Sequence, residues 1–262
     1  MKRKVSLLLV ASFLLLSAAV AQAITYGEPD GDGHPYVGIL LADFGEEAGG
    51  IDGLCSGTLI AEDVFLTAGH CTAYLESLAI DQVYVSFDPE FDPKKSKRYP
   101  GTYVTHPGYG QSTANLNDLA VVLLKRKVTN IEPASLPPAG FLDGLDLKGQ
   151  TFTAVGYGVT APEIGGGPPT FSGFGLRRVG VSSFSALNDQ WLHLSQNDAT
   201  GDEGTCFGDS GGPNFFGSGV EETNIVASIT STGDAMCLST NTTYRVDTPE
   251  ARAFLGNYMT LP

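Results

Sequence analysis

Gly208-Asp209-Ser210-Gly211-Gly212-Pro213 sets a single serine among glycines, with a carboxylate beside it. A serine hydroxyl is a weak nucleophile near neutral pH and needs an adjacent base and a fixed geometry before it attacks a carbonyl. Glycines on both sides let the backbone turn sharply and let a substrate approach closely. Such a turn can also aim successive backbone N–H groups at one point, as stabilisation of a developing oxyanion requires. Alone the string reads equally as a Gly-rich surface turn with a spare serine. The chain supplies partners, however. Leu66-Thr67-Ala68-Gly69-His70-Cys71 offers an imidazole, and Asn117-Asp118-Leu119-Ala120-Val121-Val122-Leu123-Leu124 offers a carboxylate ahead of an apolar run. Nucleophile, base and orienting acid together are the parts of acyl transfer.

These three strings, in the order His, Asp, Ser, resemble the chymotrypsin/trypsin family of serine peptidases from Ile24 to the C-terminus. The resemblance implies an all-β fold of two six-stranded antiparallel Greek-key barrels with the site in the cleft between them. It places the first barrel at about 24–132, the second at about 133–247 and a closing helix at about 248–260. It implies that Ser210 attacks, His70 carries the proton and Asp118 orients the imidazole, while the N–H groups of Gly208 and Ser210 hold the oxyanion. It further implies Ser228 as support for the aspartate, and Gly204, Thr230 and Thr242 as the specificity pocket. Disulfides Cys55–Cys71 and Cys206–Cys237 follow from it, as does an activating pair between a new N-terminal Ile24 and Asp209. The implied function is a secreted serine endopeptidase acting on proteins or peptides, a monomer without cofactor or metal.

Composition agrees with that compartment. Lys2, Arg3 and Lys4 precede an apolar stretch from Val5 to Val20 that ends in Ala21-Gln22-Ala23, the pattern of a cleaved signal peptide over 1–23. The apolar run is short for a membrane anchor, so extracellular or periplasmic release is expected. Without those residues 12 Lys+Arg face 29 Asp+Glu, a formal charge of −17, which disfavours nucleic acid and anionic membranes as partners. The four cysteines form an even set, which in a secreted chain favours disulfides with three pairings open by count alone. No close Cys pair suggests a zinc site.

Elements able to position these residues are short and β-like. Tyr36–Leu41, Ser56–Ile60, Val64–Thr67, Val83–Phe87, Gly101–Thr105 and Leu119–Leu124 read as strands. So do Phe152–Val155, Arg177–Val181, Trp191–Leu194, Ile225–Thr230 and Thr243–Val246. The Pro/Gly texture of 130–150 marks a joint, and one helix is expected at Ala251–Met259 behind a Thr248 cap and Pro249. His34, His106 and His193 read as structural. Asp88, Glu90 and Asp92 form an acidic loop, read as solvated rather than calcium-binding. Gly204 stands where relatives that cut after Lys or Arg carry an aspartate, so a preference for small or medium uncharged residues is expected, although Asp202 and Glu203 lie next to it. No Lys or Arg lies between Lys4 and Lys94, whereas Ala23 directly precedes Ile24. Signal-peptide removal is therefore expected to create the activating end. Two other readings compete. One is a catalytically silent binding module on the same fold. The other is an esterase or lipase, because Gly208-Asp209-Ser210-Gly211-Gly212 also fits the Gly-x-Ser-x-Gly elbow; the helix-poor pattern and the order His, Asp, Ser speak against it.

Overall fold

The computed structural model describes residues 24–112, 115–160, 162–163 and 168–262; the signal-peptide reading of 1–23 lies outside them. The strands are β1 (Glu28–Pro29), β2 (Val37–Asp43), β3 (Ile51–Ala61), β4 (Val64–Thr67), β5 (Gln82–Ser86), β6 (Tyr99–Thr105) and β7 (Ala120–Leu124). They continue with β8 (Thr151–Gly156), β9 (Arg178–Leu187), β10 (Trp191–Ser195), β11 (Pro213–Phe216), β12 (Val226–Gly233) and β13 (Thr240–Arg245). Two helices, α1 (Gly69–Ser77) and α2 (Pro249–Leu255), complete the regular structure. The first barrel closes in the order β2-β3-β4-β7-β6-β5. The second runs β8-β9-β10-β13-β12-β11 and closes because β8 pairs antiparallel with both β9 and β11. Both barrels thus repeat one connectivity, and closure removes the exposed edges that short strands would otherwise leave.

The core follows from near-continuous apolar runs, with β2, β4 and β7 buried at almost every residue. Val37, Ile39, Leu59, Phe65, Val83, Val85, Val121 and Val122 are buried in the first half, and Phe215, Val226, Ile229 and Tyr244 in the second. A smaller cluster of Leu142, Phe152, Leu192, Leu194 and Ala227 closes the far end of the second barrel. Thr248 caps α2 by accepting from the Ala251 N–H, with Pro249 in its first turn, as the sequence suggests. The expected single helix is one too few. α1 was hidden because Gly69–Ser77 has a weak apolar pattern and starts behind Ala68, which offers no side-chain cap.

The N-terminal segment departs from the expected division at 24–132. Thr25 bridges Gly204 and β1 pairs with β9, so residues 24–30 belong to the second barrel. The reason is local packing. Ile24 is buried against Gly27 and Gly180, where any added Cβ would collide with it. A buried charged cluster then ties this segment across both barrels. Arg177 donates to Asp30 (2.7 Å) and to the backbone oxygens of Val37 (3.1 Å) and Phe87 (2.9 Å). His34 contacts Asp30 through Nδ1 and Glu222 through Nε2 (2.7 Å), and its ring stacks on Phe215. Burial alone would lower the pKa of His34, but hydrogen bonds and charge from Asp30 and Glu222 outweigh it and raise the value to about 9.

Candidate active site

His70 lies in the first turn of α1, and Cys71 beside it is bonded to Cys55 on β3, so the imidazole is anchored to the first barrel. Asp118 is buried just before β7. It accepts the His70 backbone N–H at Oδ1 (2.7 Å) and stands 2.9 Å from His70 Nδ1 at Oδ2. A carboxylate is acceptor-only when ionised, so the Nδ1 proton is held there and Nε2 is left as the basic nitrogen. Asn117 reaches the left-handed region at φ 50°, which an asparagine tolerates better than most residues. Its side chain donates to the Gly108 carbonyl (3.2 Å), fixing the turn that aims Asp118.

The supporting serine is Ser231 rather than Ser228. Ser231 Oγ donates to Asp118 Oδ2. Ser228 instead accepts from Thr243 Oγ1 (2.7 Å) inside the second barrel. The two serines are an odd number of residues apart on β12, so they face opposite sides of the strand. A register shift between Thr230 and Thr232 adds to the turn.

Ser210 follows Gly208 (φ 97°) and precedes Gly211 (φ 78°), conformations open chiefly to glycine. The Phe207 carbonyl accepts from Val159 N–H (2.8 Å), and the Gly208 carbonyl accepts from Ser56 Oγ (2.9 Å). Since a peptide unit is planar and trans, the Gly208 N–H must point away from Val159. The Asp209 carbonyl accepts from Gly212 N–H (2.8 Å), which turns the Ser210 N–H away in the same manner. Among the described residues neither the Gly208 nor the Ser210 N–H donates to a protein acceptor. Ser56 was not singled out in the sequence, yet it also donates its backbone N–H to the Ser210 carbonyl (2.9 Å) and so ties the nucleophile turn to the first barrel. Cys206–Cys237 braces the other side of that turn.

Asp209 is wholly buried, accepting from Gly158 N–H (2.7 Å) and Cys206 N–H (2.9 Å). Burial pushes its carboxyl up to about 7 against the lowering effect of those two bonds. Among the described contacts it has no ion-pair partner, and none joins it to Ile24, whose nitrogen is bound in the peptide to Ala23.

Beside Ser210 opens a cavity of about 280 Å³, lined by Thr205–Phe207, Ser210, Thr230–Ala235 and Cys237. Thr230 is one of its walls. Gly204 and Thr242 are not. The buried Gln196 side chain fills the space over Gly204, where a Cβ would overlap it, and Gln196 Oε1 accepts from Thr205 N–H (2.9 Å). Thr242 hydroxyl lies 3.2 Å from His193 Nδ1 on β10. Asp202 and Glu203 do not reach the cavity, because they accept from the backbone of Ser183 (3.0 Å) and Val181 (2.8 Å). The acid that borders it, Asp234, accepts N–H groups from Met236, Leu238, Ser239 and Thr240, which hold its carboxyl below the ordinary range despite burial. In the acidic loop, Asp88 accepts from Lys97 N–H (3.0 Å), while Asp92 accepts from Lys94 N–H and pairs with Lys95. His106 accepts from Gly108 N–H (3.0 Å) and packs on Phe254.

The family model Trypsin matches residues 45–254. The chain belongs to the trypsin family of serine peptidases. It is 27% identical to a chymotrypsin of Phaedon cochleariae over 79% of this chain and 71% of that protein. It is 25% identical to a neutrophil elastase of Mus musculus over 80% and 74%. A solved HL collagenase structure superposes with a TM-score of 0.66 over 90% of this chain and all of the other, at 18% identity, a likeness of fold. As a trypsin-like serine peptidase the chain acts on protein or peptide substrates.

Proposed function

We propose that the protein is a secreted serine endopeptidase in which Ser210, His70 and Asp118 form the catalytic triad. The observation that carries this reading is the His70–Asp118 pair, bonded through both the backbone and Nδ1, next to a serine turn whose neighbouring N–H groups are free. Ser210 Oγ attacks the scissile carbonyl while His70 Nε2 takes its proton, and the oxyanion settles against the Gly208 and Ser210 N–H groups. The C–N bond breaks as His70 returns the proton to the leaving amine. Water then repeats the cycle on the acyl ester. Replacing Ser210 with Ala should lower kcat by a factor on the order of 10⁶ without changing the fold. Normal turnover by that variant would defeat the assignment.

Activation is assigned to release of residues 1–23. Among the described residues Asp209 is a buried carboxylate without an ion-pair partner, the nearby Arg178 charge only partly offsetting its burial, and a buried charge is costly until paired. A freed Ile24 amine supplies the partner. Pairing raises the amine's pKa above its free value of about 7.7–8.0, so this contribution is complete below that range and fades as pH climbs through the folded value. The secreted chain, extracellular or periplasmic and monomeric, should begin at Ile24 by mass spectrometry. A version carrying one extra residue before Ile24 should fold and be nearly inactive; full activity there would refute the pairing.

The acyl-side pocket favours small or medium uncharged residues. Its volume is modest, Gln196 blocks the route toward Gly204, and its one acid is already ringed by backbone donors. A peptide-library cleavage profile dominated by Lys or Arg would contradict this.

A further inference from the structure

Three phenylalanines lie beside the Ser210 turn: Phe207 three residues before the serine, Phe171 against Phe207, and Phe174 over Gly208. Phe207 is 56% exposed and Phe174 39% exposed. Phe171 meets Phe207 edge to face, with ring centroids 5.3 Å apart. The Phe174 ring lies across two glycines: a Cβ at Gly208 would come within 2.5 Å of it, and one at Gly53 within 2.6 Å. Of the three rings only Phe207 also borders the cavity. The segment that carries Phe171 and Phe174 is fixed by backbone bonds from Thr160 to Ser172 (2.8 Å), Gly175 to Tyr157 (2.8 Å) and Phe91 to Gly175 (2.8 Å). Large apolar side chains exposed together beside a reacting atom mark an interaction surface.

The geometry fixes which part of a substrate meets it. Gly53 lies two residues before Cys55, whose disulfide to Cys71 adjoins His70. In the peptidase reading, on which this inference rests, His70 gives its proton to the departing amine, so the leaving group lies on the His70 side. The acyl-side side chain occupies the cavity walled by Thr230–Ala235. A chain running over Ser210 from that cavity therefore passes next over Phe207 and Phe174.

We propose that Phe171, Phe174 and Phe207 form a receiving surface for the leaving-group side of the substrate, selecting a large apolar or aromatic side chain just after the cleaved bond. The reverse half-reaction isolates this surface from the cavity. With an acyl ester formed on Ser210, an added amino-acid amide attacks the ester carbonyl. The bond to Ser210 Oγ breaks, and the amine's proton returns through His70 to that oxygen, leaving a new peptide bond. Added amides compete with water, and the product ratio reads their affinity for the leaving-group side alone.

The test uses the secreted protein, small uncharged acyl ester substrates, and leucinamide, phenylalaninamide, glycinamide and aspartic acid amide as competing acceptors. Leucinamide and phenylalaninamide should capture the acyl group about tenfold better than glycinamide, the discrimination expected from partly burying one apolar side chain. Phe171→Ala and Phe174→Ala should each shrink that ratio severalfold. Ester hydrolysis without an acceptor serves as the internal reference for the oxyanion site. Ester turnover with equal capture of all four amides, or a preference unchanged in both variants, overturns the surface while leaving the peptidase reading intact. Absence of any ester turnover overturns the peptidase reading itself.

Discussion

Replacing His34 with Gln should flatten the alkaline limb of the stability curve. His34 is buried between Asp30 and Glu222, and its pKa stands at about 9 against an ordinary 6.5. A folded-state value above the unfolded one means that protonation favours the fold. The contribution is complete below pH 6.5 and disappears as pH rises through about 9. A difference of that size corresponds to roughly 3 kcal/mol. In a domain of this length each kcal/mol moves the melting temperature by about 2–4 °C, so the native protein should lose on the order of 6–12 °C between pH 6 and pH 10 through this residue. The Gln variant keeps a neutral hydrogen-bonding side chain, should start lower at pH 6, and should show a correspondingly shallower decline. Arg177 holds Asp30 in both proteins. The assay is differential scanning calorimetry at several pH values in a Ser210→Ala background, which prevents self-digestion. Parallel curves for the two proteins from pH 6 to pH 10 would refute the coupling.

Ser231→Ala removes the second donor to Asp118 Oδ2 and should lower kcat/KM by about tenfold or more, the usual worth of a hydrogen bond to a charged group. Ser228→Ala should leave kcat/KM within twofold and cost about 1 kcal/mol of stability, measured by chemical denaturation. Gly208→Ala should fold poorly or be inactive in an ester assay, because the position has φ 97° and its free face meets the Phe174 ring. Gln196→Ala should widen the acyl-side cavity and shift a peptide-library profile toward larger residues there.

Strand positions were legible because alternating and continuous apolar runs such as Val64–Thr67 and Leu119–Leu124 report burial directly. The strings around His70, Asp118 and Ser210 were legible because each carries its chemistry in consecutive letters. What escaped reading depends on contacts between distant segments. Ser228 and Ser231 are both serines in an apolar strand, and only the face of β12 that meets Asp118 separates them. Gln196 over Gly204 is a tertiary contact without a local signal. His34 reads as a His-Pro loop until Glu222 is brought against it. β11 was hidden by its opening proline and its shortness, although Asn214 within it links Thr230 to Asn241.

The central claim is that Ser210 is the activated nucleophile. The most direct measurement is mass spectrometry of the protein, freed of residues 1–23, after treatment with an organophosphonate that reacts with activated serines. One adduct per chain is expected, mapped to Ser210, with hydrolytic activity lost in proportion to labelling and no adduct on the His70→Ala protein over the same interval. An adduct on another serine, or full labelling with activity retained, would contradict the account.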